Sequence, residues 1–206
     1  NAEALQSFER ALQVYEEIGD RSGAARIAGN IGIVYRSLSA YEKALEYFTH
    51  ALAMFEELGD RSFVATSAMN IGNVYLNLSG PEKSLKYYTR ALAIFEELGD
   101  RSSVAWATMN IGNAYRLLAK YQKALEYLTR GLTVLEELGD PYVAAEAIQG
   151  IAAVYLSLAE YKKALEYYTR VLALYEKFGM GSGVATVSAS IGQVYVSLAE
   201  YQKALE

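Results

Sequence analysis

The 206-residue sequence predicts an all-α solenoid of antiparallel helix pairs, and three observations lead there. The string Phe55-Glu56-Glu57-Leu58-Gly59-Asp60-Arg61-Ser62 returns as Phe95-Glu96-Glu97-Leu98-Gly99-Asp100-Arg101-Ser102 and, altered, as Leu135-Glu136-Glu137-Leu138-Gly139-Asp140-Pro141-Tyr142. A second string, Ile71-Gly72-Asn73-Val74-Tyr75, has counterparts at Ile31, Ile111, Ile151 and Ile191, so the period is 40 residues. Within each period apolar residues recur at spacings of 3 and 4, first on one helical face and then on another. Self-similarity at a fixed period marks stacked units that bury their apolar faces against neighbours.

The elements follow in order. Residues 1–18 match the second helix of a pair without its partner. Expected first helices cover 22–38, 62–78, 102–118, 142–158 and 183–198; expected second helices cover 41–58, 81–98, 121–138 and 161–178. In residues 61–100 the first apolar stripe is Val64, Ala68, Ile71, Val74, Tyr75 and Leu78, and the second is Leu85, Tyr88, Ala91, Leu92, Phe95 and Leu98. Pro81 suits the first turn of the second helix, where its missing N–H is no loss. Gly99 suits the left-handed position that ends that helix, and Asp100 can accept the free N–H groups of the next. Pro141 directly after Asp140 falls on the first helical position and supports this phase. The units are therefore 21–60, 61–100, 101–140 and 141–180, with an unpaired helix over 1–20 and an incomplete unit over 181–206, in a single array over 1–206.

Gly32, Gly72, Gly112 and Gly192 lie inside helices, where glycine costs ~1 kcal/mol relative to alanine. The expected offset is close helix approach, with the glycine facing a small residue such as Ala44 or Ala124. Ala152 at the same phase indicates that one site takes a methyl. Tyr35, Tyr75, Tyr115, Tyr155 and Tyr195 form a column at one phase, expected to pack in the core with hydroxyls at the rim.

Composition narrows the function classes. Net charge is −5, which argues against nucleic acid, whose binders need clustered Lys and Arg. Residues 1–20 carry a balance of −4, residues 101–140 one of +1, so the acidity belongs to the N-terminal edge. No apolar run approaches the ~20 residues of a membrane span, and no basic-then-apolar leader opens the chain. The chain opens at Asn1 rather than Met and reads as an excerpt. With no cysteine, disulfides and thiol chemistry are excluded, and the expected location is cytoplasmic.

At these residues the chain resembles the tetratricopeptide repeat (TPR) family, whose signature sets Gly, Tyr, Ala and an aromatic at fixed spacings. Ile31-Gly32, Tyr35, Ala44, Phe48 and Ala51 match it most fully. Ile71-Gly72, Tyr75, Ser84, Tyr88 and Ala91 carry Ser84 for Ala; Ile111-Gly112, Tyr115, Ala124 and Leu128 carry an aliphatic in the aromatic slot. Ile151, Tyr155, Ala164 and Tyr168 match except for Ala152, and Ile191-Gly192, Tyr195 and Ala204 begin a fifth unit. The signature Trp is absent; Ala28, Ala68, Thr108, Ile148 and Ser188 hold its slot. The resemblance implies a right-handed superhelical solenoid. The usual period is about 34, and the extra residues fall between Ala91 and Gly112, which predicts longer helices and a deeper groove. This long form, with Gly-Asp-Arg junctions, is similar to that of Pins-type spindle adaptors, kinesin light chains and many bacterial signalling proteins.

The resemblance also implies a site. First helices of the family line a concave face where a protein or peptide partner binds. The family's Asn pair matches Asn70 with Asn73 and Asn110 with Asn113; Asn30 stands alone because Ile33 replaces its mate. A side-chain amide can grip a peptide backbone as donor and acceptor, or it can bond locally to a neighbouring helix. The slots of the family's carboxylate-clamping lysines read Gly29, Met69, Met109, Gln149 and Ala189, so that specificity is not expected. Met69, Met109, Trp106 and Arg116 give a neutral, partly apolar groove suited to an extended peptide or amphipathic helix; Trp106 can equally pack on its own neighbouring repeat. Residues 66–116 are the expected partner site, lost on replacing Asn73, Asn113 and Trp106 with Ala.

Catalytic chemistry has no foothold. His50 is the only histidine and sits where other units carry Arg90, Arg130 and Arg170; with no cysteine, no common zinc site can be assembled. Gly179-Met180-Gly181-Ser182-Gly183 follows a helix and lacks a P-loop Lys, so it reads as a worn junction whose next helix starts late. Glu16-Glu17, Glu56-Glu57, Glu96-Glu97 and Glu136-Glu137 recur at second-helix ends, against the helix dipole, and invite pairing with Arg61 and Arg101. The chain is expected to be a non-enzymatic protein-interaction scaffold without cofactor or metal and with no nucleic-acid or membrane partner. The alternative is head-to-tail self-association through the terminal helices.

Overall fold

The computed structural model describes residues 2–199 and divides into two compact units, Asn1–Ser103 and Val104–Glu206. Unit 1 contains α1 (Ala2–Glu17), α2 (Arg21–Ser37), α3 (Tyr41–Leu58), α4 (Arg61–Asn77) and α5 (Pro81–Leu98). Unit 2 contains most of α6 (Arg101–Leu117), then α7 (Tyr121–Leu138), α8 (Pro141–Ser157), α9 (Tyr161–Lys177) and α10 (Gly181–Ser197). No strand occurs among the described residues. The helix that Tyr201 would open, with Ala204, lies outside them.

Helix ends are set by residues the sequence singles out. Gly19, Gly59, Gly99, Gly139 and Gly179 all take φ between 68° and 73°, where a Cβ would be strained. Asp20, Asp60, Asp100 and Asp140 then accept backbone N–H groups of the next first turn, at 2.8 Å from Gly23, 3.2 Å from Phe63, 3.1 Å from Ser103 and 3.2 Å from Val143. At the Gly179 junction the cap is missing, yet α10 starts on time at Gly181 rather than late. Its first turn is held by Val184 N–H donating to the Met180 carbonyl, and Gly183 packs so close to Tyr175 that a Cβ there would stand 2.6 Å from the ring. Packing on α9 therefore sets the register where the cap does not. The first helices end in an unforeseen way: Ser39, Ser79, Ala119 and Ala159 take φ of 54° to 57° without being glycine. These turns close inside a repeat, where the Tyr at i−4 takes the next residue's N–H, as in Gly80 N to Tyr75 O at 2.8 Å.

The Asp100 cap carries a pH signature. Bonds from the Ser103 hydroxyl and N–H hold its carboxyl below the usual range. A lowered folded-state value means the contribution is present above the unfolded value and is lost as pH falls through the folded one. Asp100→Ala is expected to cost ~1 kcal/mol near neutral pH and progressively less in acid, read from urea midpoints at the two pH values.

The core alternates small and large residues. In unit 1, Ala44, Ala51, Ala65 and Ala68 are fully buried around Ile31, Phe48, Ile71 and Tyr88. In unit 2, Ala105, Ala124, Ala147 and Ala164 surround Leu128, Ile148, Ile151 and Val154. Gly32, Gly72 and Gly112 do not face the small residues. A Cβ on Gly32 would stand 2.7 Å from Phe48, one on Gly72 2.5 Å from Tyr88, and one on Gly112 2.7 Å from Leu128. The large residue one turn beyond Ala44 or Ala124, a ring at Phe48 and a branched aliphatic at Leu128, occupies the space that the missing side chain leaves.

The repeated acids have a structural use. Glu57 pairs with Arg21 and Glu97 with Arg61, so the second acid closes its own repeat, first-helix start to second-helix end. Glu56 pairs with Arg90 and Glu136 with Arg170, tying one second helix to the next. These exposed pairs are worth roughly 0–1 kcal/mol each and act more on register than on stability.

The tyrosine column is half-buried. Tyr35 stacks on Tyr47 at 5.6 Å, Tyr75 on Tyr87 at 5.6 Å and Tyr155 on Tyr167 at 5.5 Å between ring centroids. Lys43, Lys83 and Lys163 lay their amines 5.0–5.2 Å from the first ring of each stack. The lysine four residues before each second tyrosine is the signal for this arrangement.

Candidate functional site

In unit 1 the inner faces of α2 and α4 form a small groove of about 160 Å³ floored by Phe48 and Phe55. Asn30 from α2 and Asn70 from α4 both line it, so the structure brings these expected residues together. Arg26, Ile33 and Phe63 line it as well and fall outside the expected set. Their signal is helical spacing: Arg26, Asn30 and Ile33 step by four and three along α2, and Phe63, Thr66 and Asn70 by three and four along α4. Ile33, which displaces the second Asn of its repeat, is 41% exposed, and Phe63 is 39% exposed with its ring stacked 4.7 Å from Phe55. Two exposed apolar side chains beside two amides and a cation make an amphipathic surface.

Asn73 is differently engaged. Its Oδ1 accepts a 2.7 Å hydrogen bond from the Tyr88 hydroxyl, which ties one of its acceptor positions to the fold. Burial pushes the Tyr88 phenol far above its ordinary value, against the opposing charge of Arg36. Met69 is half-buried on α4.

In unit 2, α6 carries Trp106, 38% exposed, and half-buried Asn110, Asn113 and Arg116. The Arg116 Nε is buried without a hydrogen-bond partner, and its charge acts on the Tyr168 phenol, which burial raises and a bond with Ser190 lowers. A Cβ on Gly150 would stand 3.1 Å from Leu128 Cδ2 and 3.3 Å from Asn113 Oδ1, so the glycine in the Asn30, Asn70 and Asn110 slot makes room for a neighbouring leucine and amide. Met109 is a correction. It is 2% exposed and lies against Gly131, whose Cβ would stand 2.9 Å from its Cγ. Other second helices carry Ala51, Ala91 or Val171 there; the missing side chain admits the methionine into the core and withdraws it from the surface. Gln149 on α8 accepts the Tyr175 hydroxyl at 3.2 Å.

Among the described residues no three of His, Cys, Asp and Glu are grouped to hold a metal ion, and no helix is long and apolar enough to cross a membrane.

The family model for the tetratricopeptide repeat matches residues 1–57, 63–137 and 144–206. No curated protein matches the chain by sequence. Among solved structures, BtubC (BKLC) from P. vanneervenii is similar at 18% identity and a TM-score of 0.84, over 98% of this chain and 86% of that one. A putative kinesin light chain from Podospora anserina with nearly identical TPR-like repeats is similar at 14% identity and a TM-score of 0.73, over 87% and 89%. A Rap protein complexed with competence and sporulation factor is similar at 18% identity and a TM-score of 0.76, over 98% of this chain and 61% of that one. At these identities the likeness is one of fold.

Proposed function

The chain belongs to the tetratricopeptide repeat family, and on that footing we propose that it is a non-enzymatic scaffold binding a peptide or amphipathic helix on its first-helix faces. The observation that carries this reading is the unit 1 groove, where Ile33 and Phe63 stand exposed beside Asn30, Asn70 and Arg26. Exposed apolar side chains can anchor a partner, while the amides satisfy its backbone in any sequence context. Trp106, with Asn110 and Asn113, offers a similar mixture on α6 of unit 2. The solved Rap complex, in which a repeat protein of this fold holds a factor, supports the same direction.

The test selects binders for the intact protein from a displayed peptide library and measures their affinity by fluorescence anisotropy. Two variants separate the units: Asn30→Ala with Phe63→Ala and Asn70→Ala, and Trp106→Ala with Asn110→Ala and Asn113→Ala. At least one is expected to weaken capture about tenfold or more with its circular dichroism unchanged. Undiminished capture by both overturns the reading. Sedimentation at several concentrations separates it from homotypic assembly through α1 and α10, which requires self-association.

A further inference from the structure

A cavity walled mainly by apolar side chains lies away from the first-helix face, in unit 2, where the end of α7 meets the start of α8 and the last turns of α9. Its volume is about 550 Å³, within the ~300–1,000 Å³ range of small-molecule sites. Buried Leu135, Ala144 and Ile148 form its deep end and Leu174 a wall; Arg170 and Lys177 stand at its mouth.

The repeat itself says why this junction is open. Eighty residues earlier the same positions read Phe55, Arg61, Val64 and Glu97 where this one has Leu135, Pro141, Ala144 and Lys177. In unit 1 Arg61 pairs with Glu97 across the junction, and Val64 is 4% exposed. In unit 2 proline removes the arginine, lysine reverses the acid, and alanine and leucine withdraw volume from the interior. Ile148 is larger than its counterpart Ala68 and gives some of that volume back. At the Tyr15–Arg21 junction, which keeps Arg21 and its Glu57 pair but also has alanine at position 24, the corresponding cavity is about 230 Å³.

The exchange also changes the charge of the mouth. A neutral Arg–Glu pair becomes a single cation, Lys177, whose amine lies 5.6 Å from the Phe178 ring. The other charges at the mouth are committed: Glu136 pairs with Arg170, and Asp140 accepts the N–H groups of Tyr142 and Val143 at 3.2 Å. We propose that this cavity binds a small aliphatic carboxylate, with the chain among Leu135, Ala144, Ile148 and Leu174 and the carboxylate at Lys177. Apolar walls supply affinity by burying the chain, and the lysine fixes which end stays at the mouth. This site is independent of the groove and of the partner bound there.

Sodium octanoate is the probe, titrated into the full chain and followed by calorimetry and by methyl NMR shifts of Ile148 and Leu174. Saturable binding with shifts confined to these methyls is expected. Lys177→Glu should weaken octanoate about tenfold and leave 1-octanol unchanged. The triple change Pro141→Arg, Ala144→Val and Lys177→Glu rebuilds the unit 1 junction and should abolish binding of both. The absence of saturable shifts overturns the proposal, as does equal loss of octanoate and octanol in the single variant. If the triple variant fails to fold, the single variant still decides.

Discussion

Tyr88→Ala is expected to lower the stability of the chain by ~3–5 kcal/mol, read as a fall in the urea midpoint followed by circular dichroism. Tyr88 is fully buried, and its ring lies directly over Gly72. The glycine has no side chain to follow the ring inward, so truncation leaves a void bounded on one side by helix backbone. The hydroxyl adds a smaller contribution by donating to Asn73. Tyr88→Phe keeps the ring and should cost only ~1 kcal/mol, as one half-buried acceptor loses its donor. Comparable losses in the two variants would mean that the ring does not fill the space above Gly72.

Gly112→Ala is expected to destabilise by ~1–3 kcal/mol, although alanine in a helix interior is otherwise favoured by ~1 kcal/mol. The added methyl would stand 2.7 Å from Leu128 Cγ and 3.1 Å from the Leu128 backbone nitrogen. A side chain can rotate away, but backbone moves only with its helix. Leu128→Ala in the same chain should therefore recover only part of the loss. Gly32 differs, since the three nearest atoms to its Cβ all belong to the Phe48 ring. Ala152, at the same phase and fully buried, is a methyl already accommodated in this chain. Amide hydrogen exchange on α6 and α7 checks the prediction locally, and an unchanged or raised midpoint for Gly112→Ala contradicts it.

These two pairs also illustrate how much of the molecule can be read from its residues. The need for glycine at positions 32, 72 and 112 is legible because each breaks helix propensity at a fixed period. What faces it is not, because the small and the large residue of the second helix lie four positions apart on one stripe. The choice between them depends on how far the helices are turned about their axes. The same limit holds for Met109, whose place in the core depends on Gly131 of another helix. Asn30 and Asn70 are expected in the groove through the family resemblance and not from helical phase, while Phe63 and Ile33 escape notice because apolar residues on a helix read as core. The α10 start failed for the opposite reason: a missing cap was visible in the sequence, and a packing contact replaced it.

By itself the sequence determined the repeat period, the all-α class, the alternation of first and second helices and the capping chemistry of nearly every junction. Those depend on local spacing, on the left-handed freedom of glycine and on the reach of an aspartate to the next turn, which act within a few residues. The tertiary structure decided which side chain covers each glycine, which acid meets which arginine, and where volume is left empty. The Glu56–Arg90 tie and the cavity beside Lys177 join residues more than 30 positions apart. Their geometry depends on the rotation and offset of whole helices, to which every packed side chain contributes at once.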